Sequence, residues 1–269
     1  MSMRGASAEA AAGLTDRLGQ VATPSTALGQ DFFGVAGVLR SEPALRRLAT
    51  DVSTDSAAKS GLMRSIFEGK IDGVALDVVA DAVSRRWTAT RDLADTLEQL
   101  GVVTVVRSAG STPAEGSRLS DELFGIGQTI NDNPDLRNAL GDPARSGDDK
   151  RALLRSLLEG KVLAESLVLA QQALSGAYRT VGLAIADYQK IAASVHEESV
   201  ARVRVAQELS TADRDRLQRA LTRQYGREVH LDVLVDPALL GGMRIEIGDD
   251  VIDGTVAARI DDARRKLAG

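Results

Sequence analysis

The chain has 269 residues, long enough for two or three domains, and is 43% hydrophobic but only 3% aromatic, so its cores must be Ala, Leu and Val packed between helices. A formal net charge of -5 at pH 7 argues against a dedicated nucleic-acid binder, whose footprint would be basic, and having no cysteine removes disulfides, thiol nucleophiles and thiolate metal sites together. The longest apolar runs, such as Val102-Val103 to Val105-Val106, fall far short of the roughly 18 residues of a membrane span, and the N-terminus carries Arg4 and Glu9 without a continuous apolar core, so a soluble intracellular chain without a signal peptide is expected.

In chain order, the first expected element is an N-terminal helix, Ser7 to Leu18, with Ala8, Ala12, Thr15 and Leu18 on one face. A duplication follows. At an offset of 91 residues, Asp31 to Ile71 lies on Glu122 to Val162 without a gap. Identical pairs include Phe33/Phe124, Gly34/Gly125, Pro43/Pro134, Arg46/Arg137, Asp51/Asp142, Lys59/Lys150, Arg64/Arg155 and Glu68-Gly69-Lys70/Glu159-Gly160-Lys161. Trp87 falls on Tyr178 at the same offset. Each copy reads as one helix ending before its Pro, a short helix after it, and a third closing at Glu-Gly-Lys, because Pro suits a first helical turn and Gly the residue past the last. The fourth helix carries Leu76, Val79, Ala80 and Val83 in the first copy and Leu167, Ala170, Gln171 and Leu174 in the second; a fifth spans Thr90 to Val106 or Thr180 to Val195. Gly110 to Gly116 is the expected linker.

Beyond the repeat, Val203 and Val205 alternate with Arg202 and Arg204 in a strand from Glu198 to Ala206, and Thr211 is expected to cap a helix that runs to Tyr225 and stops at Gly226. Val229, Leu231, Val233 and Val235 form the next strand, which Asp236-Pro237 ends because Pro has no amide hydrogen for a ladder. Gly241-Gly242 is a reversal that allows positive φ, Met243, Ile245 and Ile247 alternate in a strand, and Gly248-Asp249-Asp250 is a tight turn. Val251-Ile252 returns, and Asp253 is placed to cap a last helix with Val256, Ile260, Ala263 and Leu267 at helical spacing. The predicted class is α+β, mainly α: two homologous antiparallel helical bundles, 1–110 and 111–196, then a small α/β domain, 197–269.

Fragments that mimic catalytic motifs each have a plainer reading. Gly69-Lys70 and Gly160-Lys161 resemble the end of a P-loop, but the earlier Gly is missing and Ile71 or Val162 stands at the Mg-binding Ser/Thr position, so helix C-caps are expected. His196-Glu197-Glu198 lacks the second His of a zinc motif, Val200 standing there, and His230 is the only other histidine. Asp51 to Asp55 starts like a calcium loop, yet Ser56 replaces the required Gly and Leu62 the bidentate Glu; Asp51 is expected to be a cap. Arg46-Arg47, Arg85-Arg86 and Arg264-Arg265-Lys266 lack aromatic interleaving and read as solvated faces. No catalytic, cofactor-binding or metal-ligating residue emerges.

Asp236 to Leu267 closely resembles the C-terminal signature of the delta subunit of F-type ATP synthases, called the oligomycin-sensitivity-conferring protein in mitochondria. That family runs Asp-Pro, a hydrophobic pair, Gly-Gly, a strand, Gly-Asp, then Val-Ile-Asp-Gly-Ser/Thr into a basic helix. Here these are Asp236-Pro237, Leu239-Leu240, Gly241-Gly242, Met243 to Ile247, Gly248-Asp249, Val251-Ile252-Asp253-Gly254-Thr255, and Arg259 with Arg264 to Lys266. The duplicated helical region is similar to the actinobacterial form. The resemblance implies a non-catalytic peripheral-stalk subunit without cofactor, at the cytoplasmic face of the cell membrane through the complex alone, monomeric within it and binding no nucleic acid. It further implies that the helical part binds N-terminal helices of the alpha subunits and the tail domain the C-terminal helix of the b subunit. An amphipathic partner helix would bury its apolar stripe between bundle helices, which makes Leu76, Val79, Val83, Leu167, Ala170 and Leu174 candidate contacts in the bundles and Val256, Arg259, Ile260 and Arg264 in the tail. The first copy, with its additional helix to complete a groove, is expected to hold the head. The alternative reading is a helical scaffold or adaptor unrelated to ATP synthesis.

Overall fold

The computed structural model describes residues 3–19, 21, 23–109, 113–175, 177–195, 199–225, 229–247 and 250–256. The chain divides into two compact units, Met1–Ile191 and Ala192–Gly269. The helical repeat comprises α1 (Ala6–Gly19), α2 (Thr26–Ser41), α3 (Pro43–Thr50), α4 (Ser56–Phe67), α5 (Gly73–Ser84), α6 (Asp92–Ser108), α7 (Pro113–Asp132), α8 (Pro134–Gly141), α9 (Gly147–Leu158), α10 (Ala164–Gln172) and α11 (Val181–Val195). Both helical copies thus lie in the first compact unit, apart from the last residues of α11.

Local chemistry sets these boundaries. Pro43 and Pro134 sit in the first turns of α3 and α8, where a missing N–H costs nothing. Asp55, Asp72 and Ser146 cap α4, α5 and α9 by accepting from backbone N–H groups in the first turn. Asp51, expected as a cap, is the C-cap of α3, its N–H donating to the Leu48 carbonyl at 3.3 Å; its carboxylate also folds the loop, accepting from the Ser53 N–H at 2.9 Å and the Thr54 hydroxyl at 3.0 Å, and Asp55 caps α4.

The duplication recurs in hydrogen bonds as well as sequence. Asp31 accepts the Asp72 N–H at 2.8 Å, and its counterpart Glu122 accepts the Leu163 N–H at 2.7 Å. Arg46 donates to the carbonyls of Leu39 and Arg40, and Arg137 to that of Asn131, so each satisfies carbonyls left open at a helix C-terminus. The core is conserved by register: Phe32/Leu123, Val35/Ile126, Leu39/Ile130, Met63/Leu154 and Val78/Leu169 are buried in both copies. Each such side chain contributes about 1.5–3 kcal/mol. Identical pairs such as Arg64/Arg155 are exposed.

α1 turns a different face inward from the one expected. Ser7, Ala10, Leu14 and Leu18 are buried, whereas Ala12 and Thr15 are exposed. With alanines at 6, 8, 10, 11 and 12, the first two turns define no single apolar stripe, so the two leucines at i and i+4 select the face. α1 lies against α5 and α6: Ser7 Oγ donates to Asp92 at 2.6 Å, Arg107 donates to the Leu18 carbonyl at 3.1 Å, and Arg17 pairs with Asp81 at 3.1 Å.

The tail unit adds β1 (Ser199–Val205), α12 (Thr211–Tyr225), β2 (Val229–Val235), β3 (Met243–Ile247) and β4 (Asp250–Asp253), with sheet order β2-β1-β3-β4. β1 pairs with β2 in parallel, Val203 opposite Val233, so a crossover is required and α12 supplies it. β3 pairs antiparallel with β1 and β4, Ile245 opposite Val203 and Ile252. Ala201, Val203, Val205, Leu231, Ile245 and Ile247 bury one sheet face with Leu221 of α12. The α12 cap is Ser210 rather than Thr211: its hydroxyl accepts from the Asp213 N–H at 3.2 Å and donates to the Asp213 carboxylate at 2.7 Å, a reciprocal box one residue earlier than expected.

The signature segment closes on itself. Gly241 and Gly242 have φ of +152° and +83°, the Met243 carbonyl accepts the Gly254 N–H at 2.9 Å, and the Gly241 carbonyl accepts the Val256 N–H at 3.0 Å. The Gly-Gly reversal is thereby bonded to the Asp-Gly-Thr stretch that follows β4. Asp253 accepts from the Thr255 N–H at 3.0 Å and the Thr255 hydroxyl at 2.7 Å, and these bonds hold its carboxyl below the usual range. Gly248, Asp249 and the helix expected beyond Val256 lie outside the described residues.

Two predictions follow from this packing. Burial pushes the Asp81 carboxyl upward, but hydrogen bonds and charge from Arg85 and Arg17 outweigh it and hold the carboxyl low. A folded-state value below the unfolded one of about 3.9 means this stabilisation is present above that pH and lost as pH falls below it. Urea unfolding from pH 6 to pH 3 is therefore expected to show a shallower acid loss in Asp81→Asn than in the parent. The second concerns Gly242, whose added Cβ would collide with the Gly254 carbonyl oxygen and lie 2.9 Å from Thr255 Cα at a positive φ. Gly242→Val should cost more than ~1 kcal/mol and erase amide protection in β3 and β4 while the far-UV helix signal persists; retained protection would refute the turn's role.

Candidate partner-docking surfaces

The apolar stripe proposed for the first copy is structural. Leu76 is only 7% exposed and Val79 and Val83 are fully buried, because α5 is covered by α1, α2 and α4. No partner helix reaches that stripe without displacing part of the fold. In the second copy Ala170 is equally buried, but Leu167 is half-buried, and Leu174, lying just past the end of α10, is half-buried too. Leu183 on α11 is 56% exposed. Sequence reasoning missed it, although its repeat counterpart is Asp92, so the position turns from acidic to apolar between copies.

Unequal core filling explains the difference. The first copy places Phe67 in its core, 6% exposed, where the second has the half-buried Leu158. α1 adds cover to one side of the first bundle, although Leu48, Val52 and Val74 stay exposed on it. The second leaves Leu157, 39% exposed, with Leu183 at its surface. Apolar side chains left in water carry an unrealised burial energy that a partner can recover.

In the tail unit Val251, Ile252 and Val256 are exposed, as is Leu240 at 87%. Leu240 belongs to the signature but not to the candidate contacts; the next residue, Gly241, lies against Val256, to whose Cγ2 an added Cβ would come within 3.1 Å. β4 is an edge strand flanked by the exposed Asp250 and Asp253, charges of the kind that discourage edge-to-edge pairing. Arg259, Ile260 and Arg264 lie outside the described residues, as does His196.

The P-loop mimics resolve as helix ends. Gly69 and Gly160 have φ of +72° and +76°, and the N–H groups of Lys70 and Lys161 donate to Phe67 and Leu158 carbonyls at 2.9 Å each. Amides engaged in closing a helix are not available to cradle phosphate. Among the described residues, no helix is long and apolar enough to cross a membrane.

Known proteins are similar to this chain in sequence. The model of the family "ATP synthase delta (OSCP) subunit" matches residues 108–267, the second copy and the tail. An ATP synthase subunit delta of Nocardioides sp. strain JS614 is 54% identical over 271 residues, covering 100% of this chain and 98% of that one. Those of Thermobifida fusca and Streptomyces avermitilis are 40% and 36% identical, covering 90% and 100% of this chain and equal shares of theirs. The signature turn and the helical copies before it are thus parts of one lineage, and the chain belongs to the ATP synthase delta (OSCP) subunit family.

Proposed function

We propose that this protein is a peripheral-stalk subunit of a proton-translocating F-type ATP synthase, which ties the catalytic head to the stalk so that rotor torque drives synthesis instead of spinning the head. It performs no chemistry of its own and acts at the cytoplasmic face of the membrane as one copy within the complex. The observation that carries the reading is the closed signature turn, in which Gly241-Gly242 is bonded to Gly254-Thr255-Val256, in a chain 54% identical end to end to a named delta subunit. The helical unit binds N-terminal helices of the alpha subunits, and the tail binds the C-terminal helix of the b subunit around Leu240, Val251, Ile252 and Val256. Interfaces of this helix-in-groove kind bury on the order of 1,600 Å² in total. A chain holding one partner at each end resists torque in tension.

The second copy is the better seat for the head, in reversal of the expectation from sequence. Its Leu167, Leu174 and Leu183 are part open, whereas the Leu76, Val79 and Val83 stripe is enclosed. The family match, beginning at residue 108, supports the same choice.

Titration of an alpha-subunit N-terminal peptide against the full chain tests this. Leu167→Glu and Leu183→Glu should each weaken binding at least tenfold, ~1.4 kcal/mol, and Val74→Glu on the exposed side of α5 should leave it unchanged. The opposite pattern would return the head to the first copy. The isolated protein should neither bind nor hydrolyse ATP; nucleotide binding by calorimetry, or phosphate release that persists after contaminating synthase is removed, would contradict a purely mechanical role.

A further inference from the structure

The offset of 91 residues that superposes the two copies carries α1 onto residues 97–110, which is α6 for most of its length. The packing agrees. α1 lies against α5 and α6, and α6 lies against α10 and bonds to α11. α6 is therefore both the last helix of the first bundle and the first helix of the second. The polar contacts are not superposed: Arg17 on α1 meets Asp81 of α5 at 3.1 Å, whereas Gln172 of α10, the counterpart of Asp81, donates at 3.1 Å to Glu98, whose own counterpart on α1 is Ser7.

Glu98 is 3% exposed. Its carboxylate pairs with Arg40 of α2 at 2.5 Å and accepts from the Tyr188 hydroxyl of α11 at 2.5 Å, from Gln172 at 3.1 Å and from the Ser175 hydroxyl at 3.4 Å. Arg40 is held in turn by Asp95 at 3.0 Å. Tyr188 is fully buried and meets Tyr178 edge to face at 5.8 Å; burial, then the charge of Glu98, pushes its hydroxyl upward, so it remains a donor. One cation comes from the first copy and three donors from the second. Apolar contacts between helices tolerate small slides, but a buried carboxylate does not, because each lost partner leaves desolvation uncompensated.

We infer that Glu98 is a positioning residue that fixes the angle between the two helical copies, so that with the shared α6 they form one stiff arm instead of two hinged domains. Stiffness matters to a stalk, and that consequence alone rests on the function proposed above.

The chain has no cysteine, so Ser65→Cys and Ser156→Cys, at exposed equivalent positions on α4 and α9, give a clean pair of spin-label sites on the full chain. The parent should show one narrow interspin distance. Glu98→Gln keeps the side-chain volume but removes the charge and half the acceptor capacity, and should at least about double the width of the distribution, with Tyr188→Phe broadening it less. Helix content by circular dichroism should stay unchanged in both. If Glu98 merely fills space, Glu98→Gln keeps the parent's width, and that result overturns the inference, as does a parent distribution that is already broad. Should Glu98→Gln fail to fold, Tyr188→Phe decides: parent width overturns the inference and a broader one supports it. In reconstituted synthase, Glu98→Gln should lower ATP-driven proton pumping relative to hydrolysis. Broadened distances with undiminished pumping would uphold the positioning role and count against the stalk function.

Discussion

A carboxylate that leaves water must recover its hydration from the protein, and Glu98 does so with partners from both halves of the helical unit. Removing one partner from such a group costs roughly 3–5 kcal/mol, comparable to the net stability of a small domain. The geometry that satisfies it is correspondingly narrow. α6 carries it from the centre of the unit, with α2 on one side and α10 and α11 beyond, so the relation between the copies is set where the chain crosses from one to the next. A second polar link, Thr26 to Glu165 at 3.2 Å, joins α2 to α10.

Around that fixed point the copies have diverged in which apolar side chains they bury and which they leave exposed, Leu48, Val52 and Val74 in the first and Leu157 and Leu183 in the second. The first encloses Phe32, Met63, Phe67 and Trp87 and is sealed further by α1. The second holds Leu123 and Leu154 at the corresponding positions and leaves Leu157 and Leu183 in solvent.

The tail unit solves a different problem, holding a four-stranded sheet together in few residues. β1 is central, paired on both edges, and the bonds between the Gly-Gly reversal and the residues after β4 fasten the ends of the β3-β4 hairpin. Backbone lies so close to backbone at Gly242 that any side chain would collide. That steric demand writes the motif into the sequence.

What the sequence determined by itself was therefore the part governed by local rules. Element order, the caps at Pro43 and Pro134, the 91-residue repeat and the signature turn all follow from residues adjacent in the chain or one helical turn apart, and with them the family. One cap slipped: Ser210 took the place of Thr211, since adjacent Ser and Thr offer the same oxygen and only backbone direction chooses. Tertiary structure alone decided which face of α1 turned inward, which fourth-helix stripe stayed open, and that Glu98 was no surface charge. Its bond to Tyr188 spans 90 residues, and no residue of α6 is identical to its counterpart on α1. Burial and partnership at that distance depend on how helices stack, and helical periodicity, which reports one helix at a time, carries no trace of it.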